Sequence, residues 1–260
     1  MSFKEFSKSV YGAHDGVIML TQAHQRGIEH WDEYHGDNFK HAANGIVSSD
    51  FPELREEDEK DRDPHRCMYA ASPDRGLGEL LELWPQVREQ VPDATLNVYY
   101  SWTLLKKRNP KAAEVLGEKI KKLKDLGVTL VGGVSHPELH KAYRQSSVVP
   151  YSTVFYEIYA ISVVKAAASG CFYLSLRYGS LPEVIWKPET YLLPRSGSNG
   201  VTETSITTDQ GQGRYAEALV RFLKNPPGFE ERLAMSKWAK ERFSWAVAAK
   251  KFDRILRGLA

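Results

Sequence analysis

Cysteine and long apolar runs are both scarce in this sequence. Of 260 residues only 2 are cysteines, Cys67 and Cys171, and neither belongs to a CxxC pair or to a paired histidine spacing. Disulfides and thiolate zinc sites are therefore not expected. Buried free thiols in a reducing compartment are expected instead. No stretch approaches the length of a membrane span, and the N-terminus has no apolar core of signal-peptide length. The sequence predicts a cytoplasmic protein.

The net charge of the sequence is also small. The 35 Lys and Arg residues against 33 Asp and Glu leave a formal charge of +2 at pH 7. This balance argues against nucleic acid as a partner, because bulk attraction to phosphate needs a strongly basic surface. The charge is uneven locally, with an acidic run over 53–63 and a basic run over 106–124. Solvated loops and helix faces explain most such runs. The alternative is that the basic run docks to phosphate or makes weak contact with an anionic membrane.

A regular alternation of strands and helices begins at Arg66. Hydrophobic residues make up 42% of the chain and charged residues 26%, as in an ordinary globular protein. Alternation of this kind predicts βαβ units and a doubly wound parallel sheet, that is, an α/β fold. The predicted strands are 66–72, 94–100, 128–133, 147–151, 171–176 and 190–194. The predicted helices between them are 76–91, 111–127, 136–146 and 157–170, with a short helical turn at 180–186.

The two ends of the chain are less regular. A short buried strand is expected at 16–20 and a helix after it that ends near Trp31. The polar stretch 32–65 has no periodicity and is interpreted as a connector with a long surface loop. A flexible polar loop is expected over 195–213. Three helical patterns then close the chain, at 214–225, 228–243 and 245–259.

One acid stands where an open α/β sheet places its ligands. The apolar strand 147–151 breaks at Pro150, and the next helix is predicted to begin at Glu157. Strand ends and free helix amides meet at such a point, and the helix dipole favours an anion there. Helix capping alone is the competing explanation for an acid in a first turn. Lys165 would lie about 12 Å further along this helix at about 1.5 Å per residue. Its apolar flanks suggest a buried charge that needs a partner, although a solvent-facing lysine is the alternative.

Two further turns carry candidate residues. Arg75 lies in the turn 72–76 after the first regular strand, and its planar guanidinium suits phosphate oxygens. Gly76 lets the backbone turn tightly, and Asp74 as a helix cap is the competing interpretation. His136 follows a later strand, where a lone histidine is more often a cap or a surface residue.

The order and spacing of these pieces resemble the donor-binding half of GT-B retaining glycosyltransferases of family 4. The resemblance begins at the NGI segment, 44–46, and continues through the block 69–102 to Glu183. Within that block, a basic residue, a glycine, a pair of leucines and a PDA-x-L strand follow one another as in the family. The expected fold is therefore a Rossmann-like GT-B domain, and the expected ligand is a UDP- or GDP-sugar donor. No other cofactor is expected.

The resemblance assigns a role to each candidate. Arg75, followed by Gly76, matches the basic residue that grips the donor diphosphate. Glu157 matches the first acid of the family's Glu-x7-Glu motif, which contacts the transferred hexose and makes it the candidate catalytic residue. The remaining assignments are amides near Tyr156, Glu157 and Ile158 for the phosphates, and Val134, Ser135 and His136 for the nucleotide base.

Two residues depart from the family pattern. Lys165 stands where the second acid usually accepts the ribose hydroxyls, and a lysine has donors only. We expect it to turn to the diphosphate or to change ribose recognition. Ala70 stands where the family often has another arginine. A DxD metal motif is not evident, so no metal site is expected.

The N-terminal part is short for a GT-B enzyme. The expected organisation is a remnant or linker over 1–44 and a nucleotide-sugar-binding domain over 45–260, with the last helix packed back on the N-terminal segment. The expected activity is retaining transfer of a hexosyl group to a carbohydrate, glycolipid or protein acceptor. One alternative is a half enzyme whose acceptor domain comes from a homo-oligomer or a partner chain. A nucleotide-sugar epimerase or hydrolase is the other.

Overall fold

Eight strands and twelve helices form the part of the chain that the structure describes, a computed structural model covering residues 3–153, 155–194 and 209–259. The strands are β1 (Val17–Met19), β2 (Phe39–His41), β3 (Arg66–Tyr69), β4 (Thr95–Val98), β5 (Val128–Leu130), β6 (Val148–Tyr151), β7 (Phe172–Leu176) and β8 (Leu192–Leu193). The helices are α1 (Phe3–Gly12), α2 (Gln22–Trp31), α3 (Leu77–Gln90), α4 (Trp102–Arg108), α5 (Pro110–Lys122), α6 (His136–Gln145), α7 (Ile161–Ala168), α8 (Leu181–Val184), α9 (Pro188–Tyr191), α10 (Asp209–Lys224), α11 (Phe229–Phe243) and α12 (Trp245–Leu259).

Six of the strands form one parallel sheet in the order β5-β4-β3-β6-β7-β8. The chain runs outward from β3 through β4 to β5, then returns to β6 beside β3 and continues to β8 in the other direction. The direction of winding therefore changes between β3 and β6. Helices flank the sheet, and the predicted doubly wound α/β fold is confirmed.

The core lies between the sheet and its helices. Leu77, Leu80, Leu81 and Trp84 recur at helical spacing on α3, and all four side chains are buried. The Trp84 indole donates a hydrogen bond to a loop carbonyl, so this large ring brings no unpaired polar atom into the core. Both cysteine thiols are free and buried, as predicted. None of the described helices is long and apolar enough to cross a membrane.

The structure differs from the prediction mainly outside the regular part. The stretch 32–65 contains β2, which pairs in parallel with β1 across α2 and completes a small βαβ unit. Three residues are too few to show a strand period, so this pairing left no sequence signal. The helices α1 and α4 were also not predicted. Most of the loop expected over 195–213 lies outside the described residues, and α10 begins at 209.

Backbone contacts join the segment after this βαβ unit to the end of the chain. Ile46 donates to the carbonyl of Phe243 at 2.8 Å and accepts from the amide of Trp245 at 3.0 Å. Gly45 lies so close to the start of α12 that a Cβ would meet the Trp245 backbone at 2.6 Å. The segment that leads into the large sheet is therefore held against the junction of α11 and α12.

Candidate functional site

The candidate site lies at the carboxyl ends of β3 and β6, where the winding of the sheet reverses. Open α/β sheets bind their ligands in the crevice that forms at such a point. Arg75 follows β3 and Glu157 follows β6, so the topology brings both residues to this crevice although 82 positions separate them. Their side chains meet directly: Arg75 Nη1 donates to Glu157 Oε1 at 2.8 Å.

A tight turn positions Arg75. Residues Pro73–Arg75 form a single 3-10 turn, and Gly76 follows with a φ of 103°, a conformation that favours glycine. A Cβ on Gly76 would overlap the carbonyl of Ser152, and the Ser152 hydroxyl donates to the Gly76 carbonyl at 2.7 Å. The turn after β3 is thereby fastened to the loop after β6, which fixes the base of the Arg75 side chain.

Glu157 is held in an extended loop rather than at a helix start. The prediction that a helix begins at Glu157 is wrong, because α7 begins at Ile161. The Glu157 carbonyl accepts from the amide of Ser180 at 2.7 Å, and Gly179 packs so closely on the Glu157 backbone that only a glycine fits there. Glu157 is 8% exposed, so its carboxylate depends on protein partners for its hydrogen bonds.

Tyr151 supplies the second partner of this carboxylate. Its hydroxyl donates a short hydrogen bond to the same Glu157 oxygen that Arg75 contacts. Burial, and next the negative charge of Glu157, raise the pKa of Tyr151 well above its ordinary value. The phenol therefore stays protonated and remains a hydrogen-bond donor to Glu157 throughout the physiological pH range.

An exposed aromatic ring covers Arg75. The guanidinium carbon lies 3.2 Å from the centre of the Phe155 ring, within the range of a cation–π contact. The Arg75 Nε atom is buried and makes no hydrogen bond within the described chain, and its nearest carboxylate oxygen, on Asp74, is 3.6 Å away. Arg75 therefore has one donor hydrogen-bonded to Glu157, while its buried Nε is in a long ion pair with Asp74 and makes no hydrogen bond.

Tyr156 and Ile158 are tied to the N-terminal βαβ unit. The Tyr156 hydroxyl donates to the Ala23 carbonyl at 2.8 Å, and the Thr21 hydroxyl donates to the Ile158 carbonyl at 2.7 Å. Their amides were predicted to lie at a helix N-terminus. Both residues instead precede α7, which begins at Ile161. The backbone amides of Tyr156 and Ile158 therefore belong to a loop, and no helix dipole adds to their attraction for an anion.

The start of α6 contains the residues predicted to frame a nucleotide base. Ser135 caps this helix, since its hydroxyl accepts from the amide of Glu138 while the Glu138 carboxylate accepts from the amide of Ser135. His136 is the first residue of the helix and is exposed, and Val134 is half-buried before the cap. These residues follow β5, which is one edge strand of the sheet, with β8 at the other edge.

Lys165 belongs to α7, which packs against α6 and begins after Glu157. It is half-buried on α7, and no described carboxylate pairs with it. The pKa of His140 is lowered by burial and next by the charge of Lys165, which places this lysine near α6. The rings of His136 and His140 stack at 6.2 Å. The predicted position of Lys165 two turns along a helix from Glu157 is wrong, because Glu157 lies outside α7.

Sequence reasoning missed Tyr151, Phe155 and Ser152. Tyr151 was assigned to a strand, and the one signal available was its phenol at the carboxyl end of that strand. Phe155 contacts Arg75, which is 80 positions away, and Ser152 contacts Gly76, which is 76 positions away. No local pattern reveals such contacts. Residues 3–153, 155–194 and 209–259 contain no group of three His, Cys, Asp or Glu side chains arranged to hold a metal ion.

The arrangement has the parts of an anion site. A guanidinium with one buried donor that makes no hydrogen bond lies beside a buried carboxylate whose second oxygen accepts no hydrogen bond in the described structure. A phosphate oxygen suits the first group, and a sugar hydroxyl suits the second.

The chain matches no protein-family model and no curated protein sequence. Solved structures do resemble it in fold. The GtfA/B complex superimposes with a TM-score of 0.73 at 18% identity, covering 99% of this chain and 48% of that one. Sucrose-phosphate synthase from Thermosynechococcus elongatus gives a TM-score of 0.72 at 17% identity, covering 98% and 61%. Anabaena HepE in complex with UDP and glucose gives a TM-score of 0.73 at 13% identity, covering 98% of this chain and 66% of that one.

The chain thus spans about half to two thirds of the length of these structures. The match covers almost all of this chain, and its six-stranded parallel sheet corresponds to one domain of each neighbour. The fold is that of the Rossmann-like domain of GT-B glycosyltransferases.

Proposed function

We propose that this chain binds a nucleotide diphosphate sugar over the carboxyl ends of β3 and β6 and transfers its hexosyl group with retention. The observation that carries the proposal is the direct contact of Arg75 with Glu157 at the point where the sheet reverses. A cation for the diphosphate and an acid for the sugar lie side by side there, in the crevice where this class of fold binds its ligands.

Arg75 is assigned to the diphosphate. Its side chain is 25% exposed, so part of it is open to a ligand without unfolding of the loop. Phosphate oxygens are better partners for a planar guanidinium than water is, because two parallel charge-assisted hydrogen bonds form at once. The Nε donor supports this role, since it makes no hydrogen bond within the described chain and its ion pair with Asp74 is long, at 3.6 Å.

Glu157 is assigned to the transferred sugar. In the free chain, Arg75 and Tyr151 both donate to Oε1 and leave Oε2 as an acceptor. Hydroxyl groups of a hexose donate to such a carboxylate. Tyr151 keeps the carboxylate oriented when Arg75 turns to the diphosphate, so the acid does not lose both partners at once.

The proposed reaction needs no group beyond donor and acceptor. The bond between the anomeric carbon and the diphosphate oxygen breaks, and its electron pair stays on the diphosphate. The acceptor hydroxyl oxygen bonds to the same face of that carbon, and its proton passes to the leaving phosphate oxygen. Arg75 and loop amides near Tyr156 and Ile158 neutralise the charge that develops on the leaving group. We assign Lys165 and the start of α6 to the nucleoside side.

Two structural neighbours support a nucleotide-sugar ligand. Anabaena HepE is solved with UDP and glucose, and the pneumococcal O-GlcNAc transferase GtfA with UDP and GlcNAc. Both cover at least 98% of this chain at TM-scores of 0.73 and 0.67. We therefore favour a uridine donor, and a guanosine donor is the alternative that titration decides.

A donor-binding subunit is the second candidate. One neighbour is a GtfA/B complex, and the match covers 48% of one of its chains. In this case an acceptor-binding domain from a partner chain would complete the enzyme. Native mass measurement with activity assays separates the two candidates. A monomer that transfers sugar supports the first, and donor binding without transfer until a partner is added supports the second.

Calorimetric titration with UDP, GDP and their sugars tests the donor site. We expect saturable binding of one nucleotide series, and no binding at millimolar nucleotide would refute the proposal. Glu157→Gln is expected to keep nucleotide affinity while lowering turnover at least tenfold. Glu82→Gln on α3 is the matched control and should keep both. Wild-type turnover in Glu157→Gln would refute the sugar contact.

A further inference from the structure

A second cavity lies at the carboxyl ends of the short strands β1 and β2. It has a volume of about 210 Å³ and is closed on its other side by α11 and α12. This volume corresponds to roughly seven water molecules, each occupying about 30 Å³ in the liquid. Neither Arg75 nor Glu157 lines it, so it is distinct from the proposed donor site.

The cavity is lined by basic side chains from three separate elements. His41 ends β2, Arg242 lies in the last turn of α11, and Lys251 lies on α12. No described carboxylate forms an ion pair with Arg242 or Lys251. These groups approach the same space from different directions, which suits a tetrahedral anion better than a flat one.

The acid in the lining is already occupied. Glu183 accepts from the amides of Gln22 and Ala23 at 2.9 and 2.8 Å, and Arg26 lies 3.5 Å from its carboxylate. A carboxylate at the first turn of α2 offsets the partial positive charge of that helix end. Glu183 therefore has its negative charge compensated at α2 and leaves the two cations of the cavity without an acidic partner.

One buried polar atom in the cavity lining has no partner. His41 Nε2 is buried and makes no hydrogen bond within the described chain, while Nδ1 lies 3.5 Å from the side-chain Nε2 of Gln22. A buried donor or acceptor left unpaired costs about 1–3 kcal/mol. This unpaired nitrogen and two cations without a described acidic partner belong to the lining of one cavity, and together they are the donor types that an oxyanion needs.

We propose that this cavity binds a small phosphate monoester, with the phosphate between His41, Arg242 and Lys251. Three terminal oxygens then meet three donors, one from each element. The cavity is larger than a bare phosphate ion. The Asn44 side chain in its lining offers an amide to a polar group such as a sugar ring. The inference does not depend on the proposed donor site, since the two sites share no ligand-contacting residue.

Titration with glucose 6-phosphate, inorganic phosphate and glucose tests the site, with the His41 imidazole signals followed by NMR at low ionic strength. We expect glucose 6-phosphate to bind more tightly than inorganic phosphate and to shift the His41 signals, and glucose to do neither. Absence of binding by both phosphate probes at millimolar concentration would overturn the proposal. So would equal affinity for glucose and its phosphate.

Paired charge variants separate a site from general attraction. The double variant Arg242→Ala/Lys251→Ala should weaken glucose 6-phosphate binding at least tenfold. The control Lys250→Ala/Arg254→Ala removes the same charge from positions of α12 that do not line the cavity and should change affinity less than twofold. Equal losses in both would show nonspecific attraction and refute the site.

The donor site is tested in the same samples. Arg75→Ala should leave glucose 6-phosphate binding intact, and Arg242→Ala/Lys251→Ala should leave UDP binding intact. The two proposals therefore fail separately.

Discussion

Replacing Arg75 by alanine is expected to weaken UDP binding about ten- to hundredfold while changing uridine binding less than about twofold. A hydrogen bond to a charged group contributes about 1.5–3 kcal/mol, and about 1.4 kcal/mol corresponds to a factor of ten in affinity. Uridine has no phosphate, so the guanidinium has nothing to gain from it. Calorimetric titration of both ligands into wild type and variant measures the difference.

Because Glu157 competes with phosphate for Arg75, the expected loss of UDP affinity in Arg75→Ala is smaller than for a guanidinium without a partner. In the free chain Arg75 already donates to Glu157 at 2.8 Å, and this contact must be weakened or shared when phosphate binds. UDP lacks the hexose that Glu157 is assigned to, so Glu157→Gln should not weaken its binding. Removing the negative charge would instead favour a diphosphate nearby.

Stability must be measured alongside affinity. Arg75→Ala leaves the buried Glu157 carboxylate with Tyr151 as its one remaining donor among the described side chains. Loss of a partner from such a pair costs up to about 3–5 kcal/mol when fully buried, and we expect about 1–3 kcal/mol because Arg75 is 25% exposed. Urea unfolding gives this value, and adding Glu157→Gln should recover part of it.

Equal losses of UDP and uridine affinity in Arg75→Ala would contradict the phosphate assignment. That result would mean that Arg75 only maintains the shape of the crevice. Arg66→Ala provides the control, because it removes an ion pair with Asp63 at the opposite end of the same strand. It should leave both affinities unchanged.

Two further predictions concern stability. Gly76→Ala should lower the free energy of unfolding by more than about 2 kcal/mol, because its φ of 103° is strained for alanine and a Cβ would overlap the Ser152 carbonyl. Gly78→Ala, whose Cβ would have only an ordinary contact at 3.7 Å, should be neutral or stabilising in the same urea titration. A hydrogen bond from Lys119 lowers the pKa of Glu82, so this contact stabilises the fold above the ordinary carboxyl pKa and is lost as pH falls through the lower folded value. Glu82→Gln should therefore cost less than about 1 kcal/mol at pH 7 and nothing once the pH is below the lowered pKa of Glu82, and a constant cost down to acid pH would contradict this.

The sequence predicted the sheet because strands and helices alternate with clear periods from Arg66 onward. Parallel strands then place the residues that follow them at one edge, which is how Arg75 and Glu157 were selected. Sequence patterns alone did not reveal that these side chains contact each other. Their 2.8 Å ion pair depends on the order β3-β6, which puts two strands distant in sequence side by side.

The start of α7 was misplaced for a physical reason. Residues 157–160 have helix-compatible side chains, but the carbonyls of Glu157 and Ile158 accept from Ser180 and Thr21 instead of from a following turn. Partners 23 and 137 positions away leave no trace in a local pattern. Tertiary contacts here override helix propensity.

The position of Lys165 follows from the same correction. With α7 starting at Ile161, this lysine lies in the middle of that helix, near His140 of α6. The sequence indicated a charge in an apolar helix, and it did not indicate which neighbouring element that charge would face.

A crystal structure with UDP bound tests the central claim most directly. We predict the diphosphate over the carboxyl ends of β3 and β6, with an Arg75 guanidinium nitrogen within hydrogen-bonding distance of a phosphate oxygen. UDP bound elsewhere, with the contact of Arg75 and Glu157 unchanged, would contradict it.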